Sequence, residues 1–209
     1  VVVIGNSSIL TSATNVTAAT LNALYTGADS SGKVSATVTN NELLPGAGTS
    51  FTLYQRAEGS GTEETFAKFI GSPYSTPKNV DASKAIGANG NDGVLKKVVS
   101  TPNSLGFVDY GFAKKELASA SVPATFKIVG IKGYPAVTET NIKSAITSMS
   151  KGETSTKYPS SESNGLTRPL NFLTYGAPNS LEQSFITFAQ SPGTIPVFDE
   201  AGYYSVTEF

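Results

Sequence analysis

The residues of this chain best suited to chemistry are Gln55-Arg56-Ala57-Glu58-Gly59-Ser60-Gly61-Thr62-Glu63, an arginine four positions ahead of a Ser-Gly-Thr. At the start of a helix such a stretch can hold an oxyanion. The N–H groups of a first helical turn lack intrahelical partners, and the helix dipole adds partial positive charge where an anion would sit. Ser60 and Thr62 add hydroxyl donors, and Arg56 adds a planar, permanently charged fork that can engage two anion oxygens. A plainer reading fits the same residues. Ser60 and Glu63 match a capping box, in which two side chains satisfy each other's backbone donors without a ligand. Arg56 and Glu58 match a surface ion pair of small energetic weight. On this stretch alone, a capped helix and an anion site are evenly matched.

The flanking residues supply the elements that such a site needs. Phe51 to Gln55 alternate as a strand does, and Phe66, Phe69 and Ile70 fall on one helical face, so a strand passes to a helix through a glycine-rich turn. Elsewhere, Val1 to Ile4 reads as a buried strand, and Thr17 caps a helix burying Leu21, Leu24 and Tyr25. Residues 28–41 and 72–79 read as loops. Asp92 is placed to cap a helix carrying Val94, Leu95, Val98 and Val99, which Pro102 ends before a strand from Leu105 to Asp109. A strand over Thr125 to Ile131 and a helix with Ile142, Ala145, Ile146 and Met149 on one face follow. Residues 150–165 lack periodicity and read as a mobile loop. Pro169 to Tyr175 reads as a strand, and Ser180 with Gln183 caps a final helix with Leu181, Phe185 and Phe188 inward. No internal repeat is present, and the pattern is α/β.

Composition narrows the chemistry. The 209 residues include no cysteine and no histidine, which removes thiolate chemistry, the commonest general base and the commonest metal ligand. Asp92, Asp109 and Glu116 show no metal-ligand spacing. A net charge of -1 argues against a nucleic-acid partner. No apolar run has the length of a membrane span. The modest charged fraction of 15%, with abundant Ser, Thr, Gly and Asn, suits an exported protein. Asn6-Ser7-Ser8 and Asn15-Val16-Thr17 fit the glycosylation pattern, a short match frequent by chance in such a chain.

Beyond this stretch, motifs in order along the chain carry a resemblance. The Arg56-to-Thr62 segment is joined by Ile86-Gly87-Ala88-Asn89-Gly90-Asn91-Asp92-Gly93-Val94 and by Thr101-Pro102-Asn103-Ser104-Leu105-Gly106-Phe107-Val108-Asp109-Tyr110. Weaker echoes lie at Leu10 to Gly27, at Tyr158-Pro159 with Arg168-Pro169-Leu170, and at Phe185 to Tyr203. Together these resemble the periplasmic phosphate-binding proteins of ABC importers, which have the type II solute-binding fold. Leu105 and Phe107 stand where that family usually has Ile and Tyr.

The resemblance implies an α/β lobe with a mixed sheet flanked by helices, plus a C-terminal remnant of the other lobe. It divides the chain into a first hinge strand at 1–8, a second ligand-binding lobe at 9–157, and a return crossover with the C-terminal part of lobe one at 158–209. It implies a non-catalytic receptor that needs no cofactor, with phosphate held by Arg56, Ser60, Gly61 and Thr62 and with Glu58 steadying Arg56. The implied partners are inorganic phosphate and ABC permease subunits, and the implied location is extracytoplasmic. The first half of lobe one is missing from the resemblance. A missing N-terminal segment, a second chain, or a C-terminal segment folded back onto lobe two would each account for that. A surface interaction module that has kept the fold without tight phosphate binding is the alternative function.

Overall fold

The computed structural model describes residues 1–11, 14–27, 51–72, 85–161 and 164–205. The loop expected over 28–41 and all but Ser72 of that over 72–79 lie outside the described residues. Six strands form one sheet: β1 (Val2–Asn6), β2 (Asn15–Val16), β3 (Thr52–Arg56), β4 (Ile86–Ala88), β5 (Ser104–Val108) and β6 (Phe126–Ile131), in the order β2-β6-β1-β5-β3-β4. The sheet is mixed. β1 runs antiparallel to both neighbours, with Ile4 opposite Gly106 of β5 and Ile128 of β6. β3 is parallel to β5 and to β4, with Arg56 opposite Ala88. The carboxyl ends of β3, β4 and β5 therefore share one edge, and a helix starts beyond each.

Those helices are α2 (Gly61–Ile70), α3 (Gly90–Ser100) and α4 (Tyr110–Leu117). They follow α1 (Ala18–Asn22), which Thr17 caps through a bond from the Thr20 N–H and which a π-helical turn, Ala23–Gly27, extends. Phe66 of α2 stacks on Phe107 of β5 with centroids 4.0 Å apart, and Tyr25 meets both rings edge-on. All three rings are buried. Each such aromatic pair contributes about 0.5–1.5 kcal/mol beyond its area, and the cluster fixes α2 over the sheet. Gly71, at φ 67°, closes α2 in the left-handed conformation that favours glycine. Gly106 has a different role. A Cβ there would lie 2.9 Å from Val98 Cγ2 and 3.0 Å from Val94 Cγ1, so its bare backbone lets α3 approach β5.

Helix α5 (Glu139–Ser150) buries Ile142 and Ala145, as the periodicity indicates. Asp92 does not cap α3: Asn89 holds the N-cap position, and Asp92 lies in the first turn paired with Lys96. Asn6 is not available for glycosylation, because it is buried and its amide donates to the Val98 and Val99 carbonyls. Nor is 150–165 simply loose. Ser155, Tyr158, Ser160 and Leu166 are buried, the Ser155 N–H donates to Ser160 Oγ, and the Tyr158 hydroxyl donates to the Val1 carbonyl.

The C-terminal part departs most from the sequence reading. Residues 169–175 form no strand, since none of them pairs with a neighbour; the closest contact of this kind is an isolated bridge between Ser160 and Thr167. Extended backbone without a hydrogen-bonding partner does not become sheet. Helix α6 (Ser180–Ala189) is capped one residue earlier than expected, by a capping box of Asn179 and Glu182. It is not the final helix, and its apolar residues do not face inward. Leu181, Phe185 and Phe188 are 79%, 57% and 65% exposed, alongside Leu173 at 91%. Beyond them, α7 (Ile195–Ala201) returns to the body of the fold. Gly202 lies against Gly111 of α4, where a Cβ would run into the Ala201 carbonyl. Lys143 of α5 binds Asp199 at 2.8 Å and lies over the Tyr204 ring.

Candidate functional site

The carboxyl edge of three parallel strands with three helix N-termini is the crevice in which open α/β sheets place ligands. Here it gathers the residues that the sequence singled out. Arg56 ends β3 with its guanidinium largely covered, and Ser60, Gly61 and Thr62 open α2. Arg56 donates from Nε to Glu58 Oε1 at 2.8 Å and from Nη2 to the same oxygen. That oxygen also accepts the Gly90 N–H at 3.0 Å, so Glu58 ties the arginine to the start of α3. Burial works to raise the Glu58 pKa, but the bonds from Arg56 and Gly90 outweigh it and hold the carboxyl below its usual range. Glu58 therefore remains ionised, and Arg56 is held by one edge of its fork.

The capping-box reading is half realised. Ser60 Oγ accepts the Glu63 N–H at 3.1 Å and, among the described residues, donates to no acceptor, so its hydroxyl proton is open to a further acceptor. Glu63 does not reciprocate. Its side chain is buried, the residue being 1% exposed, and Oε2 has no hydrogen-bond partner among the described residues. Burial, with Glu58 adding to it and Arg56 opposing it, pushes the Glu63 carboxyl up to about 7. The N–H groups of Gly61 and Thr62 find no acceptor among the described residues. Two backbone donors, one hydroxyl and the free edge of Arg56 thus converge at one helix terminus.

Four contributors lie outside the stretch that the sequence marks as the site; of these, Tyr203 was open to a cleft-lining reading but read rather as a packing residue. Asp109, just before α4, accepts from Thr62 Oγ1 at 3.0 Å, from Asn91 Nδ2 at 2.9 Å and from the Tyr203 hydroxyl at 3.3 Å. One carboxylate so joins α2, α3 and the C-terminal segment, and the Thr62 hydroxyl is turned toward it. Arg168 is the fourth. Its Cζ, Nη1 and Nη2 lie 2.6, 2.7 and 2.7 Å from where a Cβ on Gly61 would be. The signal for Asp109 was its place one residue past a strand; for Asn91, Tyr203 and Arg168 local spacing offers none. Among the described residues, no group of three or more Asp and Glu side chains is arranged to hold a metal ion, and no helix is long and apolar enough to cross a membrane.

A family model described as a PBP superfamily domain matches residues 1–192, and the chain belongs to that family. Solved structures agree in fold. An ABC-type phosphate transport receptor from Vibrio cholerae shares 20% identity at a TM-score of 0.61, with 97% of this chain and 68% of that one covered. A protein from Clostridium perfringens, described as a phosphate ABC transporter substrate-binding protein and solved with bound phosphate, shares 14% identity at a TM-score of 0.56, with 98% and 68% covered. PstS from Borrelia burgdorferi shares 19% identity at 0.54, again with 98% and 68% covered. No curated protein gives a significant match. At these identities the likeness establishes the fold: a mixed α/β sheet flanked by helices, of the kind found in phosphate-binding proteins.

Proposed function

We propose that this chain acts as a non-catalytic receptor that captures inorganic phosphate outside the cytoplasm and delivers it to an ABC permease. The observation that carries this reading is the start of α2, where the Gly61 and Thr62 N–H groups find no acceptor among the described residues, beside the Ser60 hydroxyl and the Glu58-anchored Arg56. The structural neighbours described as phosphate receptors and substrate-binding proteins point the same way. In this reading residues 1–8 are a hinge strand, 9–157 the second lobe, and 158–209 the return crossover with the closing elements of the first. The anion is captured as the lobes close around it. Each charge-assisted hydrogen bond contributes ~1.5–3 kcal/mol, set against several kcal/mol for desolvating and immobilising the anion. The 209-residue chain by itself is therefore expected to bind in the ~mM range, and a closed two-lobe site in the ~μM range or tighter.

The exposed apolar residues of 170–188 favour a second reading, in which the fold serves as a surface module that binds another chain and has not kept tight phosphate binding. Arg56→Ala separates the two. Calorimetric titration with phosphate and then sulfate should show saturable binding by the wild type that the substitution abolishes. Binding that persists in Arg56→Ala, or wild-type binding without preference for phosphate, overturns the receptor reading. A partner captured through 170–188 would be unaffected by the substitution.

A further inference from the structure

The sequence and the family resemblance assign the anion to Arg56 and the Ser60-Gly61-Thr62 turn. The structure adds a second guanidinium to that turn. The distances from the Gly61 Cβ position to Arg168 Cζ, Nη1 and Nη2 are nearly equal, so the guanidinium lies face-on over Gly61. Its N–H edge then projects sideways across the first turn of α2. Any other residue at 61 would displace it, which gives this glycine a role unrelated to backbone freedom, since its φ is not in the left-handed region.

Electrostatically the position is unfavourable without a ligand. A cation over a helix N-terminus meets the positive end of the dipole, the opposite of the stabilising arrangement. Arg168 makes no hydrogen bond or ion pair among the described residues, whereas Arg56 shares its charge with Glu58; the carboxylate at this turn, Asp109, is engaged by Thr62, Asn91 and Tyr203. The segment that carries it is nonetheless well anchored. Thr167 donates to the Pro159 carbonyl at 3.0 Å, the Leu166 N–H donates to the same oxygen, and Leu166 is buried. The same turn holds the buried Glu63 carboxyl with an unpartnered oxygen. Among the described residues, an exposed guanidinium without a partner and two backbone N–H groups without acceptors thus meet at the first turn of α2.

We propose that Arg168 is a second anion-coordinating residue, bringing to the Ser60-Gly61-Thr62 turn a guanidinium additional to that of Arg56 and, with it, further positive charge for a tetrahedral dianion. This rests on the phosphate-receptor reading. It also means that the return crossover takes part in binding, so that the anion joins α2 to the segment leading out of the second lobe.

The test is an NMR titration of the full chain with inorganic phosphate at constant ionic strength, following the Gly61 and Thr62 amide signals, which reads affinities into the mM range. Arg168→Gln should weaken binding roughly ten- to a hundredfold, with Arg168→Lys between it and the wild type because it restores charge but not the fork. Gly61→Ala keeps Arg168 but displaces its guanidinium, and should weaken binding in the same direction even where Arg168→Gln folds poorly. If Arg168→Gln stays within about twofold of the wild type while Arg56→Ala loses binding, the role of Arg168 is refuted and the receptor reading stands. If phosphate leaves the wild-type amides unmoved, both fall.

Discussion

Replacing Glu63 with glutamine tests the electrostatics of the site without any ligand. The carboxyl is buried at the start of α2, and burial raises its pKa from an ordinary 4.5 to about 7 against the pull of Arg56. A raised folded-state pKa means that the fold prefers the protonated form. The resulting stability is fully present below about pH 4.5, where the carboxyl is protonated folded or unfolded. It is lost as pH rises from there through 7, because the unfolded chain ionises first. At 1.36 kcal/mol per pH unit the loss amounts to roughly 3 kcal/mol. Glutamine mimics the protonated carboxyl at every pH and is exempt from it. Urea unfolding of wild type and Glu63→Gln between pH 4.5 and 8 should give a stability difference that is smallest at the acid end and grows by about 3 kcal/mol in favour of glutamine. A difference that stays level across this range would show that Glu63 is not held in its neutral form, and would refute the reasoning.

Gly106→Ala should destabilise the fold by about 1–3 kcal/mol, measured by the same unfolding assay, because the new methyl would push Val94 and Val98 and so lift α3 from β5. Its reach extends to the site, since α3 supplies the Gly90 N–H that fixes Glu58. Phe185→Asp should change stability by no more than about 1 kcal/mol, the partial loss of one aromatic pair with Phe172. In sedimentation velocity it should reduce any self-association of the chain; association unchanged by the substitution would remove 170–188 as a contact surface.

What the sequence disclosed was what neighbours in the chain determine. The strand before Arg56, the helix after Ser60 and the apolar faces of α3 and α5 are periodic signals, and the structure forms each of these elements. Capping was less legible where several polar residues cluster. Asn89 rather than Asp92, and Asn179 rather than Ser180, hold the N-cap positions, because the cap is set by where the backbone leaves the extended conformation. The alternation in 169–175 suggested a strand, but strands are made by partners, and none pairs with it. The site divides along the same line. Arg56, Glu58, Ser60, Gly61 and Thr62 lie in one short stretch and could be read together. Asp109 and Arg168 reach α2 from 47 and 107 positions away, through the sheet and the crossover. Glu63 was read as a reciprocal cap, and only the packing of the core around it reveals a carboxyl without a partner.

The central position of β1 governs the order in which the molecule can assemble. Among the described residues, β1 pairs as a strand with 104–108 and 126–129, so the middle of the sheet joins stretches far apart in the sequence. Contacts of such long range slow folding. On a ribosome adding ~5–20 residues per second, Val2, Val3 and Ile4 wait on the order of ten seconds for their neighbours to be synthesised. The strand order therefore makes the first residues of this segment among the last to be secured. Until β5 and β6 have been made, the growing chain carries an unpaired apolar strand, the kind of surface that chaperones shield.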